Sequence, residues 1–368
     1  MRDGSVQFLW RNPGLPGGFR SGVCLHGHTL YSEECLAFLP HYLHLVPGIS
    51  QAIRGYQRAG VDFARAWWTP PLTPASALGV ERNQIGGLGL EAMVSLTDHD
   101  NLEAGLALQV TADRRRVPLA VEWTVPYQRS VFHLGVHNLP PRSARSWMAA
   151  MADYTRAPEE ARLPELVSAL AAAAETLVVL NHPFWLEEGV SEADHPPALG
   201  RLLDACGASI HALEMNGTRP WRENADTMAL ACAHSRPVVS GGDRHACEPA
   251  ACLNLTHAAS FAEFAAEVRA GYSEVVFLPK YRESMAMRIL EASWDILRPY
   301  PEYRGRERWT DRVFYRGDDG VARPLAAIWE RGAPWMARAA AGVLEMAATT
   351  QLRQALRLLA MRRGEVLP

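Results

Sequence analysis

Met93-Val94-Ser95-Leu96-Thr97-Asp98-His99-Asp100 runs from a short apolar segment straight into an imidazole flanked by two carboxylates. A strand that ends this way is suited to a metal ion, although a lone Asp-His pair there can equally be a hydrogen-bonded turn. The neighbouring strand ends decide between the two. Val23-Cys24-Leu25 leads into His26-Gly27-His28-Thr29, Leu119-Ala120-Val121 into Glu122, and Val131-Phe132 into His133. Leu177 to Leu180 leads into Asn181-His182-Pro183, and Pro237 to Ser240 passes through Gly241-Gly242 to Asp243-Arg244-His245.

In α/β barrels and wound sheets the carboxyl ends of the strands converge on one face, so ligands from five or six ends can meet there. Residues i and i+2 of an extended segment point the same way, which lets His26 and His28 face one ion and Asp243 and His245 repeat the arrangement. Imidazole nitrogen with carboxylate oxygen suits zinc, manganese or iron better than calcium. Without a cation, six such histidines and their carboxylates would form a costly buried polar cluster. Between these ends, Leu163–Thr176 and Glu223–Ser235 read as helices that feed the next strand, and Ser260-Phe261-Ala262-Glu263 has the form of a capping box. The alternation predicts an α/β fold with a parallel sheet or barrel.

The ordered set resembles the PHP (polymerase and histidinol phosphatase) family of metal-dependent phosphoesterases over residues 20 to 280. His26-Gly27-His28-Thr29 is similar to that family's first motif, Thr97-Asp98-His99-Asp100 to its second, and Asp243-Arg244-His245 to its closing Asp-x-His. Glu122 resembles the bridging glutamate, while His133 and His182 resemble the next two ligands. Glu214-Met215-Asn216-Gly217 resembles the strand end before the last motif. Where the family commonly has Ser-Asp, this chain has Ser32-Glu33, which makes Glu33 the matching carboxylate. His137, four residues after His133, competes with it for one ligand position.

The resemblance implies a distorted (β/α)7-type barrel holding two or three divalent ions, Mn, Zn or Fe. His26, His28, Glu122 and Asp243 would hold one ion, Glu33, His99 and His245 a second, and Glu122 with His133 and His182 a third. It implies hydrolysis of a phosphate ester by a metal-bridging hydroxide, on a small metabolite, a nucleotide or a nucleic-acid end. Asp98 would orient a ligand histidine, and Asp100 would do likewise or cap the next helix. Arg244, Arg219 and Arg222 are candidate substrate contacts. Two other readings stay open: attack of the same metal-activated water on amide or lactone bonds, and a metal-binding regulatory module without turnover.

The remainder of the chain frames this domain. Residues 1–19, rich in Gly and Pro, read as an irregular N-terminal arm, and 20–282 as the catalytic domain. Residues 36–71 read as an insertion with helical spacing over Cys35–Leu45 and Gln51–Trp68, a possible lid in which His41 and His44 could reach over the site. Trp67 and Trp68 read as its anchor to the core. Residues 283–368 read as a helical extension, with helices over Met285–Leu297 and Ala326–Arg363. His195, His211, His234 and His257 lack ligand spacing and read as structural. The 368 residues are 48% hydrophobic and 21% charged with a net charge of −3, which argues for a folded enzyme and against a basic nucleic-acid surface. Six cysteines without a Cys-x-x-Cys pair read as reduced, mostly buried thiols. No export signal or membrane span is visible, so a cytoplasmic location is expected.

Overall fold

The computed structural model describes residues 5–37, 54–55, 57–58, 61–187, 189–329, 332–335, 338–339, 342 and 346. Its strands, in chain order, are β1 (Ser5–Phe8), β2 (Ser21–Cys24), β3 (Glu34–Cys35), β4 (Ala66–Trp68), β5 (Glu91–Val94), β6 (Ala120–Tyr127) and β7 (Ser130–His137). They continue with β8 (Leu177–Asn181), β9 (Ala212–Asn216), β10 (Val238–Gly241), β11 (Cys252–Thr256), β12 (Glu274–Phe277), β13 (Val313–Arg316) and β14 (Ala322–Pro324).

These strands form two mixed sheets, ordered β1-β12-β11-β2-β5 and β10-β9-β8-β7-β6, and an antiparallel sheet, β14-β13-β4-β3. None closes on itself, so the expected (β/α)7-type barrel is not the architecture. Antiparallel members explain the difference. β6 and β7 form a hairpin from Ala120↔His137 to Tyr127↔Ser130 with no helix between them, and β7 runs antiparallel to β8. The hairpin's two loop residues are Gln128 and Arg129, with Gln128 at φ 55°. A turn without Asn-Gly or Asp-Gly carries little sequence signal. In the first sheet β11 is antiparallel to both β12 and β2.

Alternation along the strands divides the core. Val23, Leu25 and Met93 of the first sheet meet Leu177, Val179, Ala212 and Val239 of the second, and Phe261, Phe264 and Val268 pack with them. The opposite faces carry Cys24, Val94 and Leu253 toward the helix Pro74–Gly87, and Val178, Leu180, Leu213 and Met215 toward helices Leu163–Ala171 and His195–Cys206. The two five-stranded sheets are tied at the ligand end by single parallel bridges, Gly27↔Arg244 and His99↔Glu122. These bridges draw the ends of β2, β10, β5 and β6 together.

Helices form at Leu163–Ala171, Trp221–Ala233 and Met285–Leu297, and Ser260 caps Phe261–Arg269 by accepting the Glu263 N–H. The N-terminal segment is not simply an irregular arm, because β1 pairs in parallel with β12. The insertion and the extension join in the third sheet: β4 pairs with β3 on one side and β13 on the other. Residues 66–68, expected to end a helix, are therefore a strand, and the extension contains strands as well as helices. Most of Cys35–Leu45, with His41 and His44, and most of Ala326–Arg363 lie outside the described residues. Trp67 stacks on Phe314 with ring centroids 5.7 Å apart, and Trp68 is buried. Cys24, Cys206 and Cys252 are buried, Cys247 is half-buried, and Cys35 and Cys232 are exposed; all six are free thiols. Among the described residues no helix is long and apolar enough to cross a membrane.

Candidate metal centre

Six imidazoles converge where the strand ends meet. The ring centroids of His28 and His245 are 4.1 Å apart, those of His28 and His99 4.9 Å, His99 and His133 5.0 Å, and His133 and His182 5.2 Å. His26 lies 5.0 Å from His28 and 5.6 Å from His182. Glu122, at the start of the long hairpin, is the centre of the array. Its Oε2 is 2.9 Å from His26 Nε2 and 3.2 Å from His28 Nε2, while its Oε1 is 3.1 Å from His182 Nε2 and 3.5 Å from His133 Nδ1.

Four overlapping groups have ligand atoms within 4.8 Å of one another: His28, Glu34, His99 and His245; His26, Glu122 and His182; His26, His28 and Asp243; and His99, Glu122 and His133. Each is a nitrogen-and-oxygen set suited to a divalent transition metal. Protein donors alone do not account for this packing. His26 Nε2 and His28 Nε2 face each other at 3.0 Å while both also point at Glu122, and among the described residues Glu34 Oε1 is buried without a hydrogen-bond partner. A cation among these atoms satisfies both features, so the residues fit the implied metal.

Electrostatics agree with that donor set. Burial opposes charge on every member, yet the surrounding imidazoles hold Glu34, Glu122 and Asp243 well below the usual carboxylate range. Burial also opposes the His99 imidazolium, but Glu34 and Glu122 outweigh it and push its pKa up to about 10. His133 moves the other way, because burial and the neighbouring histidines exceed the pull of Glu122.

The shell behind the ligands orients them. His26 Nδ1 lies 2.8 Å from Glu214 Oε2, which leaves Nε2 directed at Glu122. Asn216 Nδ2 donates to both Glu214 Oε1 (2.7 Å) and Asp243 Oδ2 (3.1 Å). Gly241 permits this approach, since a Cβ there would lie 2.1 Å from Glu214 Oε2. Ser32 Oγ accepts the His99 backbone N–H and sits 3.2 Å from His28 Nδ1.

Several expected roles change. Glu33 is exposed, and its neighbour Glu34 enters the ligand group instead, with Oε2 3.2 Å from His245 Nε2 and 3.5 Å from His99 Nε2. The extended segment β3 presents alternate residues to opposite sides, so one position decides which carboxylate turns inward. Asp98 does not touch a ligand histidine: it accepts the Thr29 N–H (2.6 Å) and hydroxyl (2.7 Å), fixing the His26–Thr29 loop. Asp100, at φ 51°, accepts the Thr124 N–H and locks the His99–Glu122 crossing. Between His133 and His137 the geometry separates roles. His133 joins the array, whereas His137 Nδ1 is 2.8 Å from Ser95 Oγ and its ring sits in the core.

Of the three arginines, Arg244 is buried away from the site, bound through Nε to Glu81 (3.0 Å) and through Nη1 to Ala246 O. Arg222 is exposed on its helix. Arg219 remains at the site: its guanidinium stacks 3.7 Å over Trp185, and Nη2 lies 3.6 Å from Asp243 Oδ2. Trp185, three residues after His182, carried no sequence signal beyond its aromatic character. The structural histidines are elsewhere. His195 bridges Ser130 Oγ and Pro183 O, His211 accepts the Val178 N–H, and His257 stacks on Phe19.

No family model and no curated protein matches the chain. Solved structures that match include a Bifidobacterium adolescentis protein provisionally named a metal-dependent phosphoesterase (17% identity, TM-score 0.32, 48% of this chain and 83% of that one). PsfC of Pseudomonas syringae matches at 16% identity and TM-score 0.38, covering 56% of this chain and 83% of its own. An amidohydrolase from Chromobacterium violaceum, solved with sulfate and no metal, matches at 15% identity and TM-score 0.37, covering 61% and 87%. Superpositions this loose do not bear on activity.

Proposed function

We propose that this chain is a metal-dependent hydrolase of phosphate esters, and the overlapping ligand groups around Glu122 are the observation that carries the reading. His26, His28, Glu34, His99, Glu122, His133, His182, Asp243 and His245 would hold two or three divalent ions. Such ions supply an activated water near neutral pH and Lewis-acid stabilisation of the departing oxygen. The chain's own residues do the orienting: Glu214 fixes His26, Ser32 fixes His28, and Asn216 holds Asp243 toward the array.

Arg219 favours a phosphate ester over a neutral amide or lactone. Its Nε is buried without a hydrogen-bond partner among the described residues, and Trp185 covers one face of the guanidinium. A planar cation beside the ligand carboxylate Asp243 is suited to an anionic group with paired oxygens. Arg219 is therefore assigned to bind a phosphate oxygen of the substrate.

Phosphate release measured with added manganese over nucleotides, sugar phosphates and short oligonucleotides tests this. Arg219→Ala should raise KM about 10- to 100-fold, corresponding to a charge-assisted hydrogen bond of about 1.5–3 kcal/mol. Cleavage of amides or lactones without phosphate release would overturn the phosphoesterase reading.

A further inference from the structure

Glu34 differs from the other members of the ligand groups in not coming from a strand, or strand end, of either five-stranded sheet. It sits on the two-residue strand β3, too short to fix its own register. Its position is set from outside. Glu34 pairs with Trp68 of β4, Leu36 N donates to Ala66 O at 2.9 Å, and Trp68 pairs in turn with Val313 of β13.

Arg306, ahead of the short helix Trp309–Arg312 that leads into β13, reaches across this junction. Its Nη1 donates to Leu30 O and to Thr69 Oγ1, both at 3.1 Å, so one guanidinium grips the chain four residues before Glu34 and one residue after Trp68. Arg306 is itself braced by Arg312, which is only 2% exposed. Arg312 Nη1 donates to Arg306 O (2.8 Å) and Glu307 O (3.3 Å), and Nη2 donates to Ile296 O (2.5 Å) and Arg298 O (2.9 Å). The Tyr300 ring lies 4.9 Å from its guanidinium, and the Arg312 carbonyl accepts the Thr69 N–H. A buried arginine that donates to carbonyls of two stretches of chain, 296–298 and 306–307, ties those stretches together.

We infer that the C-terminal extension is a working part of the metal centre, and that Arg306, braced by Arg312, is a positioning residue that sets Glu34 over His28, His99 and His245. The inference rests on the metal-dependent reading above. Ligand atoms have to be held within about 0.5 Å of a productive geometry, and residues supporting ligands typically contribute 10- to 100-fold in metal affinity. Loosening residues 30–36 takes Glu34 from the group it forms with His28, His99 and His245, while His26, Glu122 and His182 keep their own supports. The extension thus governs one ion and not the whole centre.

Cobalt titration of the full chain, followed by elemental analysis after gel filtration, tests this. Wild-type protein should bind its full complement, and Glu34→Gln should bind the weakest ion about 10- to 100-fold less tightly. Arg306→Ala should show the same loss of that ion with the others retained, Arg306→Lys should recover it in part, and Thr69→Val should fall between. Thr69→Val, a near-isosteric change, also reads the grip if Arg306→Ala fails to fold. Wild-type binding in Arg306→Ala or Thr69→Val, with the loss confined to Glu34→Gln, would overturn the positioning role alone. A wild-type protein that binds no cobalt would instead remove the metal reading and this one with it.

Discussion

The side of the centre around Glu122 and the side around Glu34 are built by different means. Glu122, His133 and His182 stand on long ladders: β6 and β7 pair over eight residues each, and His133 lies opposite Asn181, beside His182. Glu34 stands on a two-residue strand, and Leu30, four residues before it, is held by Arg306, 276 residues along the chain. Local pairing makes the first side rigid from within its own sheet, whereas the second depends on segments that come together only when the whole chain has folded. The first side should therefore tolerate changes in the extension, and the second should not.

The largest expected effect comes from the shared carboxylate. Glu122→Gln keeps the shape but removes the charge that faces five histidines, so phosphate release should fall by more than about 100-fold, the upper figure for a mere supporting residue. Steady-state assays with saturating manganese check this, and near-normal turnover would deny Glu122 its central place.

The tie between the sheets comes next. Arg244 and Glu81 are both buried and paired, next to the Gly27↔Arg244 bridge. Burial raises the Glu81 pKa even with Arg244 beside it. Arg244→Met should cost about 3–5 kcal/mol in chemical denaturation, and Glu81→Gln added to it should restore much of the loss, because an unpaired buried carboxylate is the larger penalty. Unchanged stability in the single variant would show that the pair does not hold the sheets together.

The smallest effect separates scaffold from site. His211 accepts the Val178 N–H through Nδ1, and burial lowers its pKa from 6.5 to about 4. The unfolded chain takes up this proton below pH 6.5 and the folded chain only near 4. The stability it contributes is thus full above pH 6.5 and is lost as pH falls from 6.5 toward 4. Urea midpoints across that range should slope less in His211→Gln than in the wild type. Equal slopes would rule out His211 as a contributor.

The same contrast explains what could be read from the sequence. The candidate ligands at strand ends are legible because each follows an apolar run and carries an unambiguous side chain: His26, His28, His99, Glu122, His133, His182, Asp243 and His245 come together in the fold. Glu34 was not, because Ser32-Glu33-Glu34 offers two carboxylates and only the pairing of β3 with β4 turns the second one inward. The hairpin at Gln128-Arg129 lacks turn residues, so alternating strands and helices suggested a barrel that the antiparallel β6, β7 and β11 exclude. Asp98 looked like a partner of a histidine because it is adjacent in sequence, but its oxygens reach across the fold to Thr29. Long-range hydrogen bonds of this kind leave no periodic trace.

The most direct test of the metal centre is the metal content of the protein purified without chelator, measured by elemental analysis together with the shift in melting temperature on adding manganese. The proposed function predicts about two or three divalent ions per chain and a higher melting temperature in manganese. Protein that carries no transition metal and does not respond to manganese would contradict it.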